Sequence, residues 1–421
     1  MFDTTRPVIL LAIASFACGG ESAGPPPPQQ ATHRIGVRAP AGVGEFYDRP
    51  TGALFTPRGN NYVRLAPQVT PEGNTVLYHA TFNPSLYDAT RVESALAQMQ
   101  SSGYNSVRVW INHCCREGSV GDPAGGLSAT YVANVVDFLK RAKVHEVSVV
   151  LTVDDVPKVG GYQELFNLSC CTLFAGTNLH YLTQGGLDAN RKFWRDFSHA
   201  LMVQQAPLDA ILAYELRNEL SFESNLPPLS LTSGTVTTVN GQTYDMADPA
   251  AKQRMMDENM VYWIDQIGAA IRQTDPTALI TVGFFQPQGP NPTRLGDPRV
   301  TKPYPAIATS SADFIDLHAY PGLGLTLAQY VENFQMTAFP VKPVLMGEFG
   351  AAKFVYALSQ DAAQALRSWQ VESCQNGFKG WLLWTWDTEE QTDFPHWAAL
   401  SGDGAVNGNL APASRPDPCV S

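Results

Sequence analysis

Eight short apolar runs, most of them separated by helical patterns, constrain the fold of this chain more than any other feature. The runs lie at residues 59–65, 106–110, 147–153, 211–216, 279–283, 314–318, 344–347 and 380–386. Helical patterns lie at residues 92–99, 131–142, 187–203, 252–273, 327–334 and 360–375. Continuous apolar runs are typical of strands buried on both faces, and strands that alternate with helices form parallel sheets. The count therefore predicts an α/β fold, a (β/α)8 TIM barrel.

An open, doubly wound sheet is the alternative arrangement of the same elements. Its nucleotide-binding form carries Gly-x-Gly-x-x-Gly after the first strand, and no such motif follows residues 59–65. The run at residues 211–216 can also be interpreted as a surface helix, because Leu212, Leu216 and Leu220 are spaced by four. The helical patterns on both sides of this run favour a strand.

The N-terminal residues predict an exported protein. Arg6 precedes an apolar segment at residues 8–14, and Ser15-Phe16-Ala17 leads from it to Cys18, as in a secretion signal too short to span a bilayer. A cysteine directly after the cleavage site resembles a bacterial lipoprotein signal, in which that cysteine is acylated. We therefore expect either an outer-membrane lipoprotein, attached to the membrane only through its lipid anchor, or a secreted protein. The predicted segments are a signal peptide at residues 1–17, a Pro- and Gly-rich tether at residues 18–45, and a single barrel domain at residues 46–421.

Two additions to the barrel are predicted within that domain. A β-hairpin with a turn at residues 50–52 leads into the first strand. A long insertion at residues 221–249 follows the fourth strand and contains an Asn240-Gly241 hairpin signal. We expect this insertion to overhang the site and to influence which ligands fit.

Cysteine usage agrees with export. Six cysteines remain besides Cys18, and an even number in an oxidising compartment suggests disulfides. Neighbouring cysteines rarely bond to each other, so we expect one of Cys114/Cys115 to pair with one of Cys170/Cys171, and Cys374 to pair with Cys419. The sequence has no Cys-x-x-Cys pair and no histidine at ligand spacing, so no metal site is predicted.

Charge narrows the class of partner. The chain has 28 basic and 39 acidic residues and a net charge of −11, which argues against nucleic acid or an anionic membrane surface as a partner. A neutral ligand is favoured. We expect a monomer without a cofactor.

Polar and aromatic side chains gather at the predicted carboxyl ends of the strands. They are Arg108, Asp154, Asp155, Asn218, Glu219, His318, Tyr320, Glu348, Trp384 and Trp386. A charged residue at the end of one strand usually marks only the point where the strand reaches solvent. Several such strands in one barrel predict a site, because barrels carry their chemistry on that face.

Two glutamates from the fourth and seventh strands would face each other across this mouth. Paired carboxylates are what glycoside cleavage requires: one protonates the leaving oxygen and the other attacks or stabilises the anomeric carbon. The amide of Asn218 can hold a sugar hydroxyl, and Arg108 and Tyr320 can keep Glu348 ionised.

The remaining strand-end residues are predicted to contact the substrate. His318 can form a hydrogen bond at the reaction centre, and Trp384 offers a flat apolar face to a pyranose ring. Trp386 and Asp154 are assigned to substrate binding with them. Glu215 is expected to support the site rather than to act as a third acid.

Together these residues resemble glycoside hydrolase family 5, the cellulase and mannanase family of retaining barrel enzymes. The resemblance rests on Arg108, Asn218-Glu219, His318-x-Tyr320, Gly347-Glu348-Phe349-Gly350 and Trp384. It implies that Glu219 is the acid/base and Glu348 the nucleophile of a retaining β-glycosidase. The expected substrate is a β-1,4-linked polysaccharide of mannan or glucan type, cleaved internally. Two positions depart from the pattern: Asp154-Asp155 stands where the family has a histidine, and Leu220 replaces a proline.

Two other functions fit parts of the pattern. A glycan-binding surface lipoprotein on a non-catalytic barrel is the main alternative, although such a chain is expected to lose one of the two glutamates. A metal-dependent deacetylase or amidase would need His/Asp clusters at strand ends, and His318 alone does not supply them.

Overall fold

A computed structural model describes residue 1 and residues 33–70, 72–111, 119–167, 173–285, 309–336, 341–386, 395–401, 403–416 and 418. The predicted signal peptide beyond residue 1, most of the tether and every cysteine except Cys374 lie outside these residues. The disulfide pairings therefore stay predictions, although Pro418 and Cys374 line the same surface pocket. None of the helices among the described residues is long and apolar enough to cross a membrane.

A parallel sheet closes into a barrel and confirms the predicted fold class. Its eight strands are Arg58–Tyr62, Ser106–Trp110, Ser148–Thr152, Ile211–Glu215, Ile280–Thr281 with Gly283–Phe285, Ile315–His318, Val344–Phe349 and Trp381–Leu383. The fifth strand is interrupted at Val282, and its two segments pair with the fourth and sixth strands respectively. The eighth strand pairs with the first, which closes the ring.

Helices cover the outside of this sheet. They are Ala89–Ser101, Ala129–Val144, Tyr162–Asn167, Asn178–Leu182, Gln184–Val203, Pro249–Thr274, Leu327–Asn333, Ser359–Gln375 and Ala405–Leu410. All six predicted helices are present. The last helix was not expected, because its asparagines and glycine are poor helix formers. Its buried Val406 and Leu410 hold it in place by packing.

The N-terminal hairpin is present and belongs to a three-stranded antiparallel sheet. Ile35–Arg38 pairs with Glu45–Asp48, which pairs in turn with Leu54–Phe55. Ile35 and Phe46 are buried against side chains at the amino-terminal ends of the barrel strands. The predicted boundary at residue 46 is therefore wrong, because the apolar residues that precede it complete this core and the folded domain already includes residues 33–45.

The insertion after the fourth strand contains the predicted hairpin. Thr235–Thr237 pairs with Thr243–Asp245. Tyr244 donates a hydrogen bond to Glu258 on the helix Pro249–Thr274, at 2.6 Å. The hairpin thus packs on the outer helices. These contacts do not include the predicted site residues, so the expected overhang gains no support from them.

A third hairpin is present that was not predicted from the sequence. Leu65–Val69 follows the first barrel strand directly and pairs with Thr75–His79. Its turn contains Gly73, whose φ of +90° is a conformation that favours glycine. Since it leaves the carboxyl end of a barrel strand, this hairpin stands at the rim of the site.

Candidate active site

Arg108 lies at the centre of the site, in the interior of the second strand. Its guanidinium donates hydrogen bonds to Glu215 at 2.6 Å, to Glu348 at 2.7 Å and to Asn218 at 2.6 Å. It is fully buried, and a buried cation requires carboxylate partners to offset the loss of hydration. Arg108 therefore fixes side chains from the fourth and seventh strands relative to each other.

Glu348 occupies the end of the seventh strand and is almost completely buried. Arg108 donates to its Oε1, and the hydroxyl of Tyr320 donates to its Oε2 at 2.5 Å. Both oxygens therefore accept hydrogen bonds, and one donor is charged. This environment stabilises the carboxylate form over the neutral acid.

Glu219 follows the fourth strand and is more open, with 36% of its side chain exposed. The ring nitrogen Nδ1 of His318 lies 2.9 Å from Oε1 of Glu219 and 3.6 Å from Oε2 of Glu348. An oxygen of Glu219 and an oxygen of Glu348 lie within 4.8 Å of each other. The two carboxyl groups thus face the same small space, with His318 between them.

The protonation states of the two glutamates are coupled through this proximity. Burial raises the pKa of Glu219 to about 7, and the negative charge of Asp154 adds to the effect. Burial also raises the pKa of Glu348, whereas His318, Arg108 and Tyr320 act in the opposite direction. Since Arg108 and Tyr320 donate to Glu348, a single negative charge shared by the pair belongs on Glu348 and the proton on Glu219.

A deeper layer of polar groups supports Arg108 from inside the barrel. Glu215 is fully buried, and Oδ2 of Asp316 lies 3.9 Å from the Arg108 guanidinium. Burial raises the pKa of Asp316 well above its usual value, and the neighbouring charge of Glu215 contributes. A Cβ atom at Gly347 would lie 1.9 Å from Asp316, so the glycine makes room for this carboxyl group. Burial and the charge of Glu215 thus both favour the neutral form of Asp316.

Two groups of side chains among the described residues have the spacing of a metal site. They are Glu215 with Asp316 and His318, and Glu219 with His318 and Glu348. The Arg108 guanidinium already provides positive charge beside Glu215 and Glu348. The expectation that the chain uses no metal stays a prediction.

Aromatic rings form one wall beside the carboxylates. The rings of Trp110 and Trp384 meet edge to face at 5.1 Å, and Arg108 lies 4.3 Å from the centre of the Trp110 ring. From its position in the sequence alone, Trp110 fits either the core or the site. Its neighbours place it in the wall of the site.

Asp154 and Asp155 have different surroundings. Asp154 accepts a 2.6 Å hydrogen bond from the hydroxyl of Tyr78, on the unpredicted hairpin. Asp155 pairs with His180 at 2.9 Å and with Lys158 at 3.0 Å, so it fastens a loop. Asp154 therefore belongs to the site, whereas Asp155 lies next to the site and holds a loop in place.

Trp386 does not join the other predicted residues, and its assignment to substrate binding is wrong. It is 1% exposed and packs edge-on against Tyr104 at 6.0 Å, in the core between strands and helices. The prediction assumed that strand alternation continues from Trp384. The eighth strand ends at Leu383, so alternation does not determine the direction of these later side chains.

Two residues of the site, Tyr78 and His79, were missed. The ring of His79 stacks on Trp110 with centroids 4.9 Å apart and planes inclined by 7°. A signal for their hairpin exists in the sequence, where Gly73-Asn74 separates two stretches rich in β-forming residues. The pattern does not reveal that this hairpin folds back over the site.

Solved structures with a similar fold include three enzymes at low sequence identity. An endo-1,4-β-mannanase from Rhizomucor miehei has a TM-score of 0.56 and 16% identity, covering 89% of this chain and 98% of its own. A β-mannanase from the blue mussel Mytilus edulis has a TM-score of 0.51 and 17% identity, and the match covers 92% of this chain and 98% of the mannanase. An exo-β-1,4-mannosidase from Opitutaceae bacterium strain TAV5 has 0.52 and 21%, covering 87% of this chain but only 57% of its own.

Sequence comparison gives the family. No curated protein matches the chain. The model of the family described as cellulase (glycosyl hydrolase family 5) matches residues 69–390, a span that contains every predicted site residue. Because this match covers most of its length, the chain belongs to glycoside hydrolase family 5 and is a glycoside hydrolase.

Proposed function

We propose that this chain is a retaining β-glycosidase in which Glu348 is the nucleophile and Glu219 the acid/base. The observation that carries the proposal is the separation of the two carboxyl groups, whose oxygens lie within 4.8 Å of each other. Retaining enzymes hold their carboxyl groups about 5–5.5 Å apart, whereas inverting enzymes leave roughly 6.5–9.5 Å for a water molecule.

The reaction proceeds in two displacements. An oxygen of Glu348 attacks the anomeric carbon while Glu219 gives its proton to the departing glycosidic oxygen, which leaves a glycosyl ester on Glu348. Glu219, now a carboxylate, takes a proton from water as the water attacks the same carbon and releases Glu348. The hydrogen bonds from Arg108 and Tyr320 support Glu348 as an anion before the first step and after the second.

We propose a β-1,4-linked mannan as the substrate and internal cleavage as the mode of action. The stretch Tyr214-Glu215-Leu216-x-Asn218-Glu219 resembles the mannanase version of the family more than the cellulase version. The similar structures named as mannanases and a mannosidase agree with this choice. Export and acylation at Cys18 are proposed from the N-terminal signal alone.

The test of the mechanism combines two variants with product analysis. Glu348→Gln should abolish turnover while glycan binding persists, and Glu219→Ala should keep substantial activity on aryl glycosides with good leaving groups, because these leave without a proton. The exposed Glu332→Gln should behave as the wild type. First-formed product of inverted configuration, or an equal loss on aryl and natural substrates in Glu219→Ala, would contradict these roles.

A panel of mannan, cellulose-type glucan, xyloglucan and aryl glycosides tests the substrate. Mannan should be cleaved fastest, and its viscosity should fall early relative to the release of reducing ends, because internal cuts shorten chains most. Release of single sugars without loss of viscosity would show that the enzyme cleaves mannan from the chain ends and not internally. Binding without turnover of any glycan would favour the non-catalytic alternative.

A further inference from the structure

His79 lies at the rim of the site on an element that the catalytic scheme above does not use. It ends the second strand of the hairpin Leu65–Val69/Thr75–His79, which leaves the first barrel strand at its carboxyl end. The next residue back, Tyr78, bonds Asp154 at 2.6 Å and so ties the hairpin to the end of the third strand. This bond holds the end of the hairpin that carries His79 against the barrel.

The ring of His79 extends the aromatic wall of the site. It stacks nearly flat on Trp110, with a plane angle of 7°, and Trp110 in turn meets Trp384 at 5.1 Å. Trp384 is the side chain predicted to carry a sugar ring. The rings of Trp384, Trp110 and His79 are therefore successive neighbours between the predicted sugar-binding tryptophan and the hairpin.

Two polar atoms in this wall lack a protein partner. Nδ1 of His79 and Nε1 of Trp110 are buried, and neither forms a hydrogen bond within the described parts of the chain. Buried polar groups are normally satisfied by protein, water or ligand, so these two atoms, in the wall of the site, are available to pair with a ligand hydroxyl or a water molecule.

The imidazole has the right protonation state for this task. Burial lowers the pKa of His79 to about 4, and the charge of Arg108 adds to this, while Asp154 opposes it. At neutral pH the ring therefore carries one N–H donor and one nitrogen acceptor. A sugar hydroxyl is both donor and acceptor, so it can pair with either nitrogen.

We propose that His79 is a specificity-determining residue that binds a hydroxyl of the sugar held against Trp384. This inference rests on the proposed function, since it needs a glycan in the site. It also accounts for the departure at Asp154-Asp155, where the family pattern has a histidine at the end of the third strand. In this chain a histidine reaches the Asp154 side of the mouth from the hairpin instead.

The test uses His79→Phe, which keeps a flat ring on Trp110 and removes both ring nitrogens. Affinities for manno- and gluco-oligosaccharides are measured by calorimetry on the Glu348→Gln background, so that hydrolysis does not interfere. The loss of one neutral hydrogen bond should weaken binding of the preferred series about tenfold, with an unchanged melting temperature. The same substitution at the exposed His199 is the matched control and should change neither quantity.

Monodeoxy oligosaccharides separate a direct contact from a structural effect. In the protein that retains His79, an oligosaccharide without the contacted hydroxyl should bind about tenfold more weakly than the unmodified oligosaccharide. In the His79→Phe variant the two oligosaccharides should bind equally well. Equal losses for every analogue in both proteins, or no oligosaccharide binding at all, would overturn the inference. A wild type that binds and shows this coupling but cleaves no glycan would leave the inference standing and reject the proposed function.

Discussion

The proton balance between Glu219 and Glu348 determines how the rate should depend on pH. Glu219 must be protonated to act as an acid, and its pKa in the free enzyme is raised to about 7, so kcat/KM should fall as the pH rises through about 7. Glu348 must be ionised, so kcat/KM should also fall on the acidic side, as this carboxylate takes up a proton. A bell-shaped profile with its alkaline limb near neutrality is expected.

Replacing Asp154 tests the origin of that alkaline limb. The negative charge of Asp154 raises the pKa of Glu219, so Asp154→Asn should lower that pKa and move the alkaline limb of kcat/KM to lower pH. The acidic limb should stay closer to its original position. Asp403→Asn, on the exposed loop before the last helix, is the control for loss of one carboxylate. An alkaline limb that stays in place would show that another group controls it.

Site residues were predictable where they lie in a barrel strand or just after it. Arg108 and Glu348 lie within strands, and Asn218 and Glu219 closely follow one, so barrel geometry predicts that they meet at the same mouth. Trp386 was assigned wrongly because the chain after Leu383 places its side chain in the core, against Tyr104. Tyr78, His79 and the buried Asp316 network depend on which segments meet in space, which local pattern does not contain.

At the scale of elements, the N-terminal sheet supports the barrel from the end opposite the site. Phe46 is fully buried and meets Phe314 edge to face at 5.0 Å. Phe46→Ala should destabilise the protein by about 3–5 kcal/mol, because it removes a large side chain from a closed core. Urea unfolding measures this change, and specific activity well below the melting temperature should remain near that of the wild type.

A matched control for this prediction lies in the same sheet. Leu54 is 58% exposed, so Leu54→Ala should change the free energy of unfolding by no more than about 0.5 kcal/mol. Similar losses from both substitutions would mean that the sheet is not seated on the barrel core. Loss of kcat in Phe46→Ala without loss of stability would contradict the separation of the sheet from the site.

The elements themselves were largely readable from the sequence, and their exceptions have physical reasons. The apolar runs are strong signals because parallel strands are buried on both faces, as in Ser106–Trp110 and Ser148–Thr152. The strand Ile35–Arg38 was missed because one glycine and one arginine interrupt its short apolar pattern. Ile35 is nevertheless buried, because its contacts come from distant parts of the chain.

At the scale of the whole molecule, the folded domain begins earlier than the sequence pattern indicates. Since residues 33–45 belong to the folded domain, the predicted tether after Cys18 shortens to about 15 residues, with four consecutive prolines. A segment of this length in polyproline conformation, at roughly 3.1 Å per residue, is about 45 Å long.

Acylation at Cys18 can be tested on the full-length chain. After expression in a bacterium that processes lipoproteins, the wild type should sediment with membranes and incorporate labelled fatty acid, whereas Cys18→Ser should do neither. Ser22→Ala, in the same segment, is the control and should behave as the wild type. The detergent-extracted wild type should hydrolyse small oligosaccharides as fast as the Cys18→Ser protein, because Cys18 is not among the residues that form the site. Membrane association that survives Cys18→Ser would reject the lipid anchor, and a wild type recovered entirely from the medium would favour a secreted enzyme.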